Sequence, residues 1–206
     1  MEYGQDDKRR LLIYYDKLIS EHGDENGQAQ GWASNETENI RFEVFLKVGD
    51  LNNCSILDVG CGFGDFYDFL KKKKTQNFSY TGIDINPEMI KRAKEKNPEA
   101  NFQVIDFGSG NFKSKFDYIF CSGALSFKIT NYKEFYLAHV KKMFELSKIG
   151  VAFNMLNKEN NTKPENEELY ATYSIKEVRD FCLNLTSKIT IHKNYLPNDF
   201  TLFLYH

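Results

Sequence analysis

Hydrophobic and polar positions change period along the chain, and the change divides it. Leu11, Tyr14, Tyr15, Leu18 and Ile19 recur at helical spacing, which predicts an amphipathic helix over 10–20. A polar, glycine-rich stretch follows at 21–31. Asn35 with Glu38 then has the form of a capping box opening a second helix to about Val48. From residue 55 the texture differs. Short β-branched or aromatic runs at 55–59, 80–85, 101–105, 116–121 and 150–154 alternate with helical stretches at 65–73, 87–96 and 132–146. Asn86 followed by Pro87 marks one helix start, and Asn131 with Glu134 suggests another capping box. Strands alternating with helices predict a parallel sheet covered on both faces. After a helix expected from Ser174, with Glu177 as its capping partner, to about Asn184, two strands at 188–192 and 200–205 are separated only by 193–199. That link is too short for a crossover helix, so these two run antiparallel. The expected architecture is α/β: seven strands, mostly parallel, closing on an antiparallel hairpin, with a helical cap at 1–51 and the sheet domain at 52–206.

Composition narrows the class. The chain has 206 residues, 41% hydrophobic, with 27 Lys+Arg against 29 Asp+Glu and a net charge of -2. A domain of this size buries a core without disulfides or metals. Lacking a basic excess, it is an unexpected binder of nucleic acid or of an anionic membrane. The polar start and the lack of a long apolar run predict neither a secretory leader nor a membrane span. Cys54, Cys61, Cys121 and Cys182 have no disulfide or zinc spacing, which fits reduced thiols and a cytoplasmic location. The lysine run at 71–74 reads as a solvated helix end, and the Asn/Glu-rich stretch at 158–168, with Pro164, as a long exposed loop.

The chemistry concentrates at the ends of the predicted strands. The run from Ile56 to Asp65 carries a buried strand into Gly60, Gly62 and Gly64 and then a helix, a turn in which the backbone comes close to a ligand. A dinucleotide turn wants glycine or alanine where Asp65 stands, and a carboxylate suits a pyrophosphate poorly, so a cofactor without phosphate fits better. Asp84 ends the second strand, where an acidic side chain accepts from ribose hydroxyls. Asp106 and Phe107 end the third, an acceptor and a flat cover for an adenine. Taken singly, Asp84 and Asp106 are equally well explained as caps of turns. Together with the glycine turn they lie at adjacent carboxyl ends, where open α/β sheets bind ligands.

These residues resemble the class I S-adenosylmethionine-dependent methyltransferases. The match rests on the run from Leu57 to Gly64, on Gly82-Ile-Asp84, on Asp106-Phe107 and on the strand from Phe116 to Phe120, and it spans roughly 52–206. The resemblance implies strand order 3-2-1-4-5-7-6 with the last strand reversed. It places Gly60 and Gly62 at the methionine part of S-adenosylmethionine, counts Asp58 and Cys61 among the cofactor-binding residues, and puts Asp84 on the ribose. Ile85 falls against the adenine, with Asp106 on its amine and Phe107 beside it. Cys121, Ser122 and Gly123 then line the methyl-transfer pocket. Gly31-Trp32, Arg41-Phe42 and the run from Tyr195 to Thr201 are also similar to small bacterial stand-alone members of that family.

The tip of the fourth strand reads Cys121-Ser-Gly-Ala-Leu-Ser126. It carries neither the Pro-Pro-aromatic motif of amino-methylating nucleic-acid enzymes nor the Pro-Cys nucleophile of cytosine C5 enzymes. It has no carboxylates for a catalytic metal, so a metal-independent reaction on a small-molecule oxygen or nitrogen is expected. An activated sulfonium leaves the protein to exclude water and align the reactants. His22, in the polar stretch, is the candidate base, whereas His139, His192 and His206 read as structural or solvated. Trp32 either stacks on a ligand or anchors the cap. Arg41 either reaches the cofactor carboxylate or is a solvated helix residue. Two other functions use a similar turn: a nicotinamide-dependent oxidoreductase, which Asp65 and the closing hairpin disfavour, and a non-catalytic S-adenosylmethionine-binding module.

Overall fold

The computed structural model describes residues 1–23, 27–160 and 168–206. Most of the predicted 158–168 loop, including Pro164, lies outside the described residues. Chain order is α1 (Gln5–His22), α2 (Asn35–Phe45), β1 (Ser55–Val59), α3 (Asp65–Lys72), β2 (Ser79–Asp84), α4 (Pro87–Lys96) and β3 (Asn101–Val104). It continues through β4 (Phe116–Cys121), α5 (Tyr132–Leu146), β5 (Ser147–Asn157), β6 (Thr172–Tyr173), α6 (Ile175–Leu183), β7 (Ile189–Lys193) and β8 (Asp199–Tyr205).

The sheet runs β3-β2-β1-β4-β5-β8-β7. β1 pairs in parallel with β2 and β4, β2 with β3, and β4 with β5. β8 is antiparallel to both β5 and β7. The order matches expectation, with one correction: among the described residues there are eight strands rather than seven. The extra one, β6, is two residues long and pairs in parallel with the end of β5, too short to leave a periodic signature. β5 also starts at Ser147, directly from α5, because Ser147 is the C-cap of that helix in extended conformation.

Capping departs from expectation in three places. Ser34, not Asn35, caps α2: its hydroxyl accepts from Thr37 N while Thr37 Oγ1 accepts from Ser34 N. The Asn35 side chain instead accepts from Gly27 N, and Glu38 is left free to point elsewhere. Asn131 sits before α5 in the left-handed region (φ 53°) with no side-chain cap. The Ser174 hydroxyl turns to Glu159 at 3.1 Å. Asn86 caps α4 as expected, accepting from Glu88 N at 2.8 Å and Met89 N at 3.1 Å.

The core has a layer on each face of the sheet. On one face Leu57, Val59, Ile119 and Cys121 pack with α5, α6 and Leu11 of α1. On the other, Ile56, Phe102, Phe120 and Phe203 pack with α3, α4 and α2. Phe45 of α2 lies 5.4 Å from Phe120 and 5.8 Å from Phe66 between ring centroids. The first 51 residues therefore bury α1 on one face and α2 on the other. The turn at 27–34 crosses between them, above the carboxyl ends of the strands.

Candidate active site

The glycine turn is shaped by its backbone. Gly60, Gly62 and Gly64 all have positive φ (74°, 51° and 81°), which a side chain disfavours. A Cβ on Gly60 would strike Ala124, and one on Gly62 would strike the Gln30 amide. The turn is stitched to β2, since Gly60 N and Cys61 N both donate to Ile83 O, at 2.8 and 3.0 Å. Asp84 turns toward it: one oxygen accepts from Gly62 N at 3.1 Å and the other from Asn86 N at 2.9 Å. Burial raises the Asp84 carboxyl pKa, and the backbone N–H donors pull it back. Asp58 lies beneath, accepting from Tyr80 OH at 2.5 Å, and burial pushes it up to about 7.

Above these strand ends is a cavity of about 680 Å³, a volume suited to a cofactor-sized ligand. It is walled by Asp58, Gly60, Cys61, Gly62, Asp84, Ile85 and Phe107, by Ser122 and Gly123 at the β4 tip, and by Trp32 and Arg41 of the cap. Three candidate residues fall elsewhere. Cys121 is wholly buried behind the wall. Asp106 sits at the rim, accepting from Gly108 N at 2.9 Å and from Tyr3 N at 3.3 Å. His22 is exposed at the end of α1 and does not reach the cavity.

The loop after β3 is fixed by Lys142 of α5, whose ammonium donates to the carbonyls of Phe107, Gly108 and Gly110 at 2.6, 3.1 and 2.8 Å. His139 stands beside it, 5% exposed, with Nδ1 2.8 Å from Phe135 O. Burial lowers its pKa to about 4, so the ring is neutral at pH 7.

The fold brings to the cavity several residues with no site role expected from the sequence. Glu38, first read as a capping residue, is 7% exposed in the cavity wall with Asp65. Gln30 bridges the two, donating to Asp65 at 2.6 Å and more weakly to Glu38 at 3.4 Å, and its oxygen faces Phe63 N at 3.4 Å. Burial, reinforced by the Asp65 charge, pushes Glu38 up to about 8. Arg41 is not a solvated helix residue: it pairs with Asp199 of β8, donates to Thr37 O at 2.8 Å, and lies 4.5 Å from the Trp32 ring centroid. Trp32 in turn lies against Gly123, where an added Cβ would overlap the indole. Asn154 of β5 accepts from Gly123 N at 2.7 Å and donates to the Ser122 hydroxyl at 3.2 Å. The two short similarities near Trp32–Arg41 and 195–201 thus meet at one wall, where the Tyr195 and Thr201 hydroxyls also bond at 2.7 Å. Their signal in sequence was the similarity of both short stretches to small bacterial stand-alone members of the family, which did not say that they meet.

Glu38 carries a pH prediction. In the unfolded chain it ionises near the ordinary 4.5, whereas in the fold it holds its proton to about 8. Between those values the folded state binds more protons, so this group's contribution to stability is lost as pH rises. Urea unfolding at pH 5 and pH 8 should show a smaller pH-dependent loss in Glu38→Gln than in the parent. An unchanged difference would mean that Glu38 is ionised in the fold.

Comparison with known proteins agrees with this geometry. Residues 56–145 match the family model described as a methyltransferase domain. A Mycobacterium tuberculosis protein named as a methyltransferase is 28% identical over 121 residues, covering 56% of this chain and 71% of that protein. Demethylmenaquinone methyltransferase of Lactococcus lactis is 27% identical over 147 residues, covering 68% of this chain and 56% of that enzyme. Among solved structures, the DhpI–SAM–HEP complex superposes with a TM-score of 0.70 at 15% identity, over 98% of each chain. Residues 56–145 thus carry a match to a methyltransferase domain, and the fold around them is the one that the S-adenosylmethionine-bound DhpI complex has. Among the described residues no cluster of His, Cys, Asp or Glu is placed to hold a metal ion, and no helix is long and apolar enough to cross a membrane.

Proposed function

We propose that the protein transfers the methyl group of S-adenosylmethionine to an oxygen or nitrogen of a small-molecule acceptor, without a metal. The observation that carries this reading is the register of the glycine turn, Asp84 and the β4 tip around one cavity that the N-terminal segment covers. The donor set suits this cofactor. Asp84 offers carboxylate lone pairs to a ribose, and Ile85 and Phe107 offer apolar cover to a purine. Glu38 and Asp65, above Gly62, suit an ammonium group. Asp65 at the first position of α3 also disfavours a pyrophosphate there. Cys61 and Gly60 belong to the same subsite.

When bound, the cofactor supplies an activated methyl on a positive sulfur. The protein's part is to hold the acceptor in line and to exclude water. Ser122, Gly123 and Asn154 form the floor next to the transfer point, and Trp32 and Arg41 close it from the cap. In this reading residues 1–51 act as a lid and acceptor selector over the 52–206 domain. No residue is assigned as the base. His22 has that role only if α1 moves, and an amine acceptor that arrives neutral needs no base at its attacking atom.

The test is calorimetric titration with S-adenosylmethionine, S-adenosylhomocysteine and NAD, followed by a methyl-labelled donor offered to panels of small amines, phenols and acids. Micromolar binding of the two adenosyl sulfur compounds, with label transferred to one acceptor class, is expected. Binding of NAD in their place would favour an oxidoreductase instead. Cofactor binding with no transfer to any acceptor would favour a binding module.

A further inference from the structure

The adenine side of the cavity is shared with the chain's own first residues. Tyr3 N donates to Asp106 Oδ2 at 3.3 Å, while Oδ1 of the same carboxylate is taken by Gly108 N at 2.9 Å. The Tyr3 ring packs on Phe135 at 4.6 Å between centroids and lines the cavity with Asp84, Ile85, Ile105 and Phe107. The backbone of residues 1–2 lies directly on the loop after β3, where a Cβ on Gly108 would overlap the Met1 carbonyl. An N–H donor next to a flat ring is also the combination that an adenine amine and its purine present to a carboxylate.

We propose that Tyr3 and the residues before it compete with the cofactor's adenine for Asp106 and the apolar slot beside it, so that the N-terminal segment is an intramolecular gate on cofactor entry. This rests on the cofactor reading above. The segment leads without a spacer into α1, and α1 is fastened at two further points, one after β2 and one ahead of α5. Asp7 accepts from Thr130 N at 3.0 Å and Asp16 accepts from Asn86 Nδ2 at 2.9 Å. Withdrawing Tyr3 therefore pulls on a helix held beside the β2 tip and the start of α5, which couples adenine entry to movement of the lid. At 3.3 Å the bond to Asp106 lies just beyond the ordinary range of about 2.7–3.2 Å for N–H···O.

An intramolecular competitor lowers apparent affinity by the fraction of molecules in which it has released the site. If the gate is open in roughly one molecule in five to ten, removing it tightens binding about fivefold to tenfold. The experiment is calorimetry of the full chain with S-adenosylhomocysteine and with adenosine, for the parent, Tyr3→Phe, Tyr3→Ala and Tyr3→Pro. Tyr3→Phe keeps ring and amide but loses the hydroxyl's hydrogen bond with Tyr136, and should lie between the parent and Tyr3→Ala. Tyr3→Ala removes the ring and should bind both ligands several-fold more tightly. Tyr3→Pro also removes the N–H donor and should gain at least as much. Hydrogen exchange supplies a second reading: the amides of residues 2–8 should exchange faster when S-adenosylhomocysteine is added, while those of 60–64 slow.

Weaker binding in Tyr3→Ala, with slower exchange at 2–8 on ligand addition, would overturn the gate and make the ring part of the adenine wall. Unchanged affinity with unchanged exchange would overturn it too. If neither the parent nor any variant binds S-adenosylhomocysteine or adenosine, the cofactor reading itself fails and the gate falls with it. Binding by the parent with no gain in the variants sinks the gate alone.

Discussion

Asp84→Ala should weaken binding of S-adenosylhomocysteine by about 100-fold, from the loss of charge-assisted hydrogen bonds worth about 1.5–3 kcal/mol each. The carboxylate is held at the β2 tip by Gly62 N at 3.1 Å and Asn86 N at 2.9 Å. Those two bonds fix its orientation and leave lone pairs for two vicinal hydroxyls. They also bind the glycine turn to the start of α4, so the substitution loosens the turn and removes the acceptor together. Asp84→Asn keeps one acceptor oxygen but sets an amide N–H₂ against backbone donors. It should fall between the parent and the alanine variant. Melting temperatures separate the two effects, because a Gly62 N–H left unpaired lowers stability whether or not a ligand is present. Calorimetry decides the matter: a change of less than about threefold, or about 0.6 kcal/mol, would place the ribose elsewhere.

Asp84 was legible in the sequence for a physical reason. A short apolar run that ends in a carboxylate fixes both the strand and which of its ends carries the charge. Two such ends, at Asp84 and Asp106, together with the glycine turn at Gly60 in the neighbouring strand, then fall on one edge of the sheet whatever the loops do. The antiparallel close was legible because seven residues cannot cross a sheet. Glu38 was not, because a glutamate three residues after an asparagine satisfies a local pattern equally well. Only Ser34, which takes the cap, shows that Glu38 is released to the cavity. Arg41 and Asp199 lie far apart in the chain and meet because α2 packs beside β8, a contact no local spacing encodes. Tyr3 is the extreme case: one aromatic residue ahead of the first periodic stretch, given its place by Asp106 and Phe135.

The Arg41–Asp199 pair should carry the largest stability effect outside the apolar core. Its side chains are 11% and 3% exposed, and removing one partner of a buried pair costs about 3–5 kcal/mol because the other charge remains. The two single variants should not be equal. In Asp199→Ala the guanidinium cannot shed its proton and stays buried, held only by Thr37 O and the Trp32 face. In Arg41→Ala the carboxyl can protonate, since burial already raises its pKa and the arginine alone opposes that shift. Its folded pKa then rises further above the unfolded value, so the loss in Arg41→Ala should be small at low pH and grow as pH rises. Denaturant unfolding from pH 5 to pH 8 should therefore show a flat deficit for Asp199→Ala and a rising one for Arg41→Ala. The double variant Arg41→Met/Asp199→Leu removes both charges and should recover most of the stability. It should not recover methyl transfer if Arg41 and Trp32 close the site on the cofactor. A double variant as active as the parent would make the pair a fastening between α2 and β8, and would leave recognition of the cofactor's carboxylate to the glycine turn.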